Sequence, residues 1–116
     1  MLDVTALGEL LIDFTTLSVD EDGYPAMQAH PGGAPANFLA ILSAFGRKTA
    51  MLGKVGTDAF GDRLLHTLSG KGIDIGGMVR DPEVFTTLAF VTLDDKGDRA
   101  FSFARKPGAD TCLSTA

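Results

Sequence analysis

The chain opens on an apolar run at residues 3–8 that predicts a buried strand. Residues 9–16 continue extended, with Asp13 alone among Leu10, Leu11, Ile12 and Phe14. A polar turn at 18–23 precedes a short returning strand at 24–29. Residues 34–45 then predict a helix, because Phe38, Ile41, Leu42 and Phe45 recur at the spacing of one buried stripe. The opposite side carries Ala36, Ala40, Ser43 and Ala44, so the helix is apolar nearly all round and is expected inside a layered fold. Pro35 suits its first turn and Gly46 its end.

An interior-type strand follows at 49–55, then a second helix at 58–69 with Phe60, Leu64 and Leu68 on one stripe and Thr57 or Asp58 at its start. A third short strand is expected at 78–80. Residues 86–93 and 99–105 flank the polar, glycine-containing loop 94–98 and predict a β-hairpin. In its second strand Arg99, Phe101, Phe103 and Arg105 share one face; the small residues Ala100, Ser102 and Ala104 share the other, which is expected to pack closely. Strands and helices in this order predict an α/β fold, a parallel core carrying a separate β flap.

Composition removes several function classes. The net charge is −5 and the ten Lys and Arg are scattered, which argues against a nucleic-acid partner. No 18-residue apolar run and no leader-like start occur, so neither a membrane partner nor secretion is expected. A lone Cys112 fits a reducing, cytoplasmic setting. Cys112, His30 and His66 lack metal-ligand spacing, so no metal site of their own is expected.

Candidate chemistry concentrates at Gly32-Gly33-Ala34-Pro35-Ala36-Asn37. Two residues without Cβ before a helix let a ligand approach outward-pointing amides, and Asn37 offers a donor and an acceptor one turn in. The same spacing equally fits glycines that only turn the chain and an asparagine that only caps the helix. Asp13 is costly among apolar neighbours unless it is paired or faces a cleft, where one carboxylate can hold two adjacent hydroxyls. By pattern alone an exposed alternating residue fits it slightly better. The Phe/Arg face of the hairpin suits closure over a ligand or contact with a partner subunit. Ser69-Gly70-Lys71-Gly72 fails the phosphate-loop pattern at two positions, since Gly72 follows Lys71 and Leu65 stands where a glycine is needed.

Taken together, Leu7–Phe14, the block Gly32–Gly61 with Gly53-Lys54-Val55-Gly56-Thr57-Asp58, and Phe103–Asp110 resemble the N-terminal part of the ribokinase-like (PfkB) sugar kinases, most similar to the fructokinases. The resemblance runs over essentially all 116 residues, with Leu39 standing where the family has a small residue. It implies part of a Rossmann-like three-layer ribokinase fold with a small β lid. The core would take about 3–8 and 32–82, and the lid about 9–29 and 86–105. It also implies that Asp13, Gly32, Gly33 and Asn37 bind a sugar, with Arg105 near it and Phe103 of the same hairpin face taken with Arg105. Transfer from ATP with Mg²⁺ to a primary hydroxyl is implied, fructose being the leading substrate and homodimerisation through the lid the expected assembly. The family's catalytic aspartate and nucleotide-phosphate turn come late in the chain and have no counterpart here, so residues 1–116 are expected to be an inactive N-terminal segment. A sugar-binding module without catalysis, and kinases for 2-keto-3-deoxygluconate, ribose or a nucleoside, are the alternatives.

Overall fold

The computed structural model describes residues 1–114. The chain forms β1 (Val4–Leu7), β2 (Leu11–Val19), β3 (Pro25–Gly32), α1 (Ala34–Ala44), β4 (Thr49–Gly56), α2 (Ala59–Gly70), β5 (Ile73–Asp74), β6 (Met78–Asp81), β7 (Leu88–Leu93), β8 (Arg99–Ala104) and a 3₁₀ turn, Ala109–Thr111.

Two sheets result. In the core sheet β4 lies between β1 on one side and β5 and β6 on the other, every pair parallel. The lid sheet has the order β3-β2-β7-β8, with β2 parallel to β7 and antiparallel pairs at both edges. The lid projects from the core: the Cα radius of gyration is 15.5 Å and the extents are 53 × 34 × 20 Å. A compact chain of this length would have a radius of about 13 Å.

The core lies between the core sheet and the two helices, where Leu10, Ile12, Leu39, Met51, Val55, Leu64 and Leu68 form one buried cluster. On β4, alternation sends Met51 and Val55 to that side. On the other side Leu7, Leu52 and Val79 are exposed, so two layers of the three-layer fold are present among the described residues.

α2 follows its pattern, with Leu64 and Leu68 buried and Phe60 packed against the cluster. α1 does not. Its buried residues are Ala36 and Leu39, while Phe38, Ile41 and Phe45, expected inside, are 54%, 59% and 79% exposed. The small side brings the helix axis close to the sheet, with the Ser43 and Thr49 hydroxyls hydrogen-bonded at 2.6 Å. Leu39, the departure from the family pattern, is fully buried. The expected close packing of Ala100, Ser102 and Ala104 is also corrected: all six residues of β8 are exposed, because nothing described lies against that edge of the lid.

Candidate functional site

β2 and β3 pair so that Asp13 stands opposite His30 and Leu11 opposite Gly32. Residues two apart share a face, so the Asp13 side chain leans over the Gly32 backbone. A methyl group on Gly32 would collide with the Asp13 carboxylate. Gly33 takes φ +111°, and a methyl there would meet the Glu9 carbonyl oxygen at 2.6 Å. Both glycines are therefore required by close approach, which fixes the entry to α1 beside the Asp13 carboxylate. Gly33 is the N-cap and brings no side chain to the first turn of α1.

Asp13 pairs with Ala89 of β7, and Ala89 with Phe103 of β8. One row across the lid thus carries His30, Asp13, Ala89 and Phe103 on the same face. Thr15, Val91 and Phe101 lie one step along that face. With Asp13, Thr16, Leu93 and Arg99 they line an open hollow of about 320 Å³. Burial first, and then the charge of Glu9, push the Asp13 carboxyl above its ordinary value, with His30 opposing.

Arg105 is more constrained than its sequence context suggests. Its guanidinium Nη2 donates to Glu9 Oε2 at 3.2 Å and to Asp110 Oδ2 at 2.8 Å, and its Cζ lies 4.9 Å from the Phe103 ring centre. The Asp110 side chain is only 2% exposed and also accepts from the Thr87 hydroxyl. Gly108 makes this possible, since a methyl there would strike Thr87 Oγ1. Burial lowers the Arg105 pKa, but Asp110 and then Glu9 more than offset it, and the net shift is upward.

The fold therefore assembles Asp13, Gly32, Gly33, Phe103 and Arg105 around one end of the lid. Asn37 stands one turn into α1, exposed, lining with Gly32, Leu10 and Leu64 a narrow space of about 30 Å³ between the helices. It is thus separated from the hollow lined by Asp13, and Gly32 is their common neighbour. Glu9, Thr87 and Asp110 were not singled out in the sequence. Glu9 and Asp110 figured there only as members of the segments Leu7–Phe14 and Phe103–Asp110.

The sequence comparison agrees over the same span: residues 1–113 match the pfkB family carbohydrate kinase family. The chain belongs to that family. Fructokinase-1 of Zea mays is 45% identical over 113 residues, covering 96% of this chain and 35% of that protein. The crystal structure of fructokinase from Xylella fastidiosa superposes with a TM-score of 0.88 at 37% identity, covering 95% of this chain and 34% of the other. The same enzyme with bound ATP gives a TM-score of 0.86 at 36% identity, covering 95% and 35%. The ribokinase fold is thus present in part, and the pfkB chain spans about a third of the length of the relatives it matches. No helix among the described residues is long and apolar enough to cross a membrane.

Neither end of α2 fits the phosphates of ATP. The start of α2 is filled by its own carboxylate: Asp58 accepts from Gly61 N at 2.8 Å and from Thr86 N at 2.9 Å, and the Gly56 amide is taken by Thr86 Oγ1 at 3.0 Å. Gly70 and Lys71 lie at the C-terminal end of α2, where the helix dipole repels an anion. No group of three or more acidic, His or Cys side chains is placed to hold a metal ion among these residues.

Proposed function

We propose that this chain is the sugar-binding part of an ATP-dependent sugar kinase acting on a primary hydroxyl of fructose. The observation that carries the reading is the Asp13 carboxylate lying against Gly32 at the uncapped start of α1, on the open face of the lid. An ionised carboxylate there accepts two neighbouring sugar hydroxyls in charge-assisted bonds. Gly32 and Gly33 let the sugar reach the first-turn amides of α1, and Asn37 adds a donor and an acceptor. Phe103 supplies an apolar wall and Arg105 fixes the end of the site. Core residues about 3–8 and 32–82 form the platform; lid residues about 9–29 and 86–105 close over it. These groups bind and orient the sugar and exclude water from it.

ATP with Mg²⁺ would supply the phosphoryl group, held by residues other than those described. The setting is cytoplasmic, and two lids pairing through their exposed Phe101/Phe103 faces account for a homodimer. A second reading, a sugar-binding module without catalysis, is favoured by one observation: among the described residues the start of α2 is closed to a phosphate by Asp58 and Thr86.

An ADP-release assay on the complete gene product with fructose, Mg²⁺ and ATP tests both. Turnover with fructose, together with silence from residues 1–116 alone, is the expected result. Fructose binding without turnover would select the module, and absence of fructose binding would overturn both.

A further inference from the structure

On the reading that the Asp13 site holds a sugar, we propose that Glu9 and Asp110 are positioning residues that clamp Arg105 and thereby make the site reject anionic sugars. A free arginine beside a sugar site invites the opposite, because its planar fork grips a carboxylate or phosphate through two parallel bonds. The fork has two such edges, Nε with Nη2 and Nη1 with Nη2. Both need Nη2, whose two protons point to Glu9 and Asp110. Nε is buried and without a partner among the described residues, so it is closed to an incoming ligand. Neither edge remains open for a bidentate grip.

The charge balance points the same way. Glu9 and Asp110 are two carboxylates on one guanidinium, and Asp13 lies close enough to Glu9 to feel its charge. Asp13 still experiences Glu9 as a negative neighbour, which adds to burial in raising its pKa, so the ion pair with Arg105 does not cancel Glu9 at the sugar position. His30, opposite Asp13, contributes the contrary sign. Arg99 lines the same hollow but stands four residues along β8 from Phe103. That is roughly 13 Å at strand rise, and Arg99 is exposed, so solvent and salt weaken its charge at the Phe103 end of the hollow. A neutral sugar meets acceptors and an apolar ring here, whereas a sugar acid meets net negative charge and an arginine already engaged. Thr87 and Gly108 serve the clamp at one remove, the first by donating to Asp110 and the second by leaving room for that bond.

The test is the ratio of kcat/KM for 2-keto-3-deoxygluconate to that for fructose, measured on the complete gene product at low and high salt. In the unaltered protein the ratio is expected to be small and to rise with salt, as repulsion is screened. Glu9→Gln should raise the ratio by about tenfold or more and flatten its salt dependence, since like-charge repulsion is removed and one Nη2 proton is freed. Glu9→Asp should restore most of the discrimination. Asp110→Asn is the second variant, expected to shift the ratio the same way, and Glu9 carries the test if that buried change impairs folding. A Glu9→Gln protein with unchanged ratio and unchanged salt slope would overturn the clamp while leaving the kinase reading intact. An unaltered protein that uses the sugar acid as well as fructose would overturn the clamp. One that uses neither sugar would overturn the proposed function, and the clamp with it.

Discussion

α1 and α2 each follow a strand that ends in glycine, and each begins beside an aspartate, yet the two starts are built to opposite ends. At α2, Asp58 is itself the cap, and both its oxygens are taken by Gly61 and Thr86. Burial works against its charge, but the hydrogen bonds from Thr86 and Gly61 prevail, and its pKa is lowered. At α1 the cap is Gly33 with no side chain, and Asp13 approaches from another strand with its pKa raised. A carboxylate whose partners are all internal holds the fold together. One held beside a bare helix start, and pushed toward protonation by burial and Glu9, is stabilised best by something that arrives from outside.

The largest expected effect tests the open start. Asp13→Ala should weaken fructose binding by roughly 2–5 kcal/mol, the cost of removing one partner of a buried charged hydrogen bond. Asn37→Ala should cost less, since its bonds are between neutral groups. Calorimetric titration of the complete gene product checks both, and unchanged affinity in both variants would dissolve the distinction between the two helix starts. Stability should be unmoved or slightly raised in Asp13→Ala, because folding disfavours the charge it removes.

Asp58→Ala should show the reverse split. Loss of the cap and of the Thr86 bonds is expected to cost about 2–4 kcal/mol in urea unfolding, with sugar affinity of the folded fraction unchanged. The pH dependence separates the two carboxylates by sign. Asp58 has a folded pKa below its unfolded value of about 3.9, so its contribution is present above that value and is lost as pH falls through the folded pKa. Asp13 has a folded pKa above its unfolded one, so its contribution is present below about 3.9 and is lost as pH rises through the folded pKa. In unfolding measured from pH 7 downward, the gap between the unaltered protein and Asp58→Ala should therefore close on acidification. A gap that widens would contradict the assignment.

A smaller effect is expected at Gly33. Alanine there must take φ +111° and press on the Glu9 carbonyl, which should cost about 1–3 kcal/mol and weaken sugar binding as the entry to α1 shifts. Gly46, at φ +83° with open space around it, is the control: alanine should cost about 1–2 kcal/mol and leave the sugar site untouched. Equal effects on sugar binding would show that close approach at Gly33 does not matter.

Much of this was legible in the sequence. Sequence pattern located every strand but β5, and both helices, because each of those elements has a length and a boundary signal that tertiary contacts did not override. β5, two residues long, carries too little pattern to be seen. The buried face of α1 was not legible for a different reason. A helix without a polar side carries no information about which side faces inward, and here the closer approach allowed by Ala36 and the fit of Leu39 decided it. Asp13, Gly32, Gly33, Asn37, Phe103 and Arg105 could be named as candidates from the sequence, whereas the partners of Arg105 could not. Glu9 and Asp110 are just over a hundred residues apart in the chain, and only the strand order β2-β7-β8 brings them to one guanidinium.

The smallest expected effect concerns the outer sides of the same two helices. Phe38, Ile41 and Phe45 project from α1 into solvent, so replacing each with glutamine should change the stability of the monomer by less than about 0.5 kcal/mol per site. Leu68→Ala on the buried stripe of α2 should cost about 2–5 kcal/mol. The α1 face should instead govern association. With Leu7, Leu52 and Val79 also exposed on the core sheet, residues 1–116 are expected to self-associate and to bind a hydrophobic dye. The triple glutamine variant should lower both signals, read by light scattering and dye fluorescence, without moving the unfolding midpoint. If it unfolds as readily as Leu68→Ala, the large residues of α1 are buried within one chain, and the contrast between the helices fails where the sequence pattern had predicted no contrast.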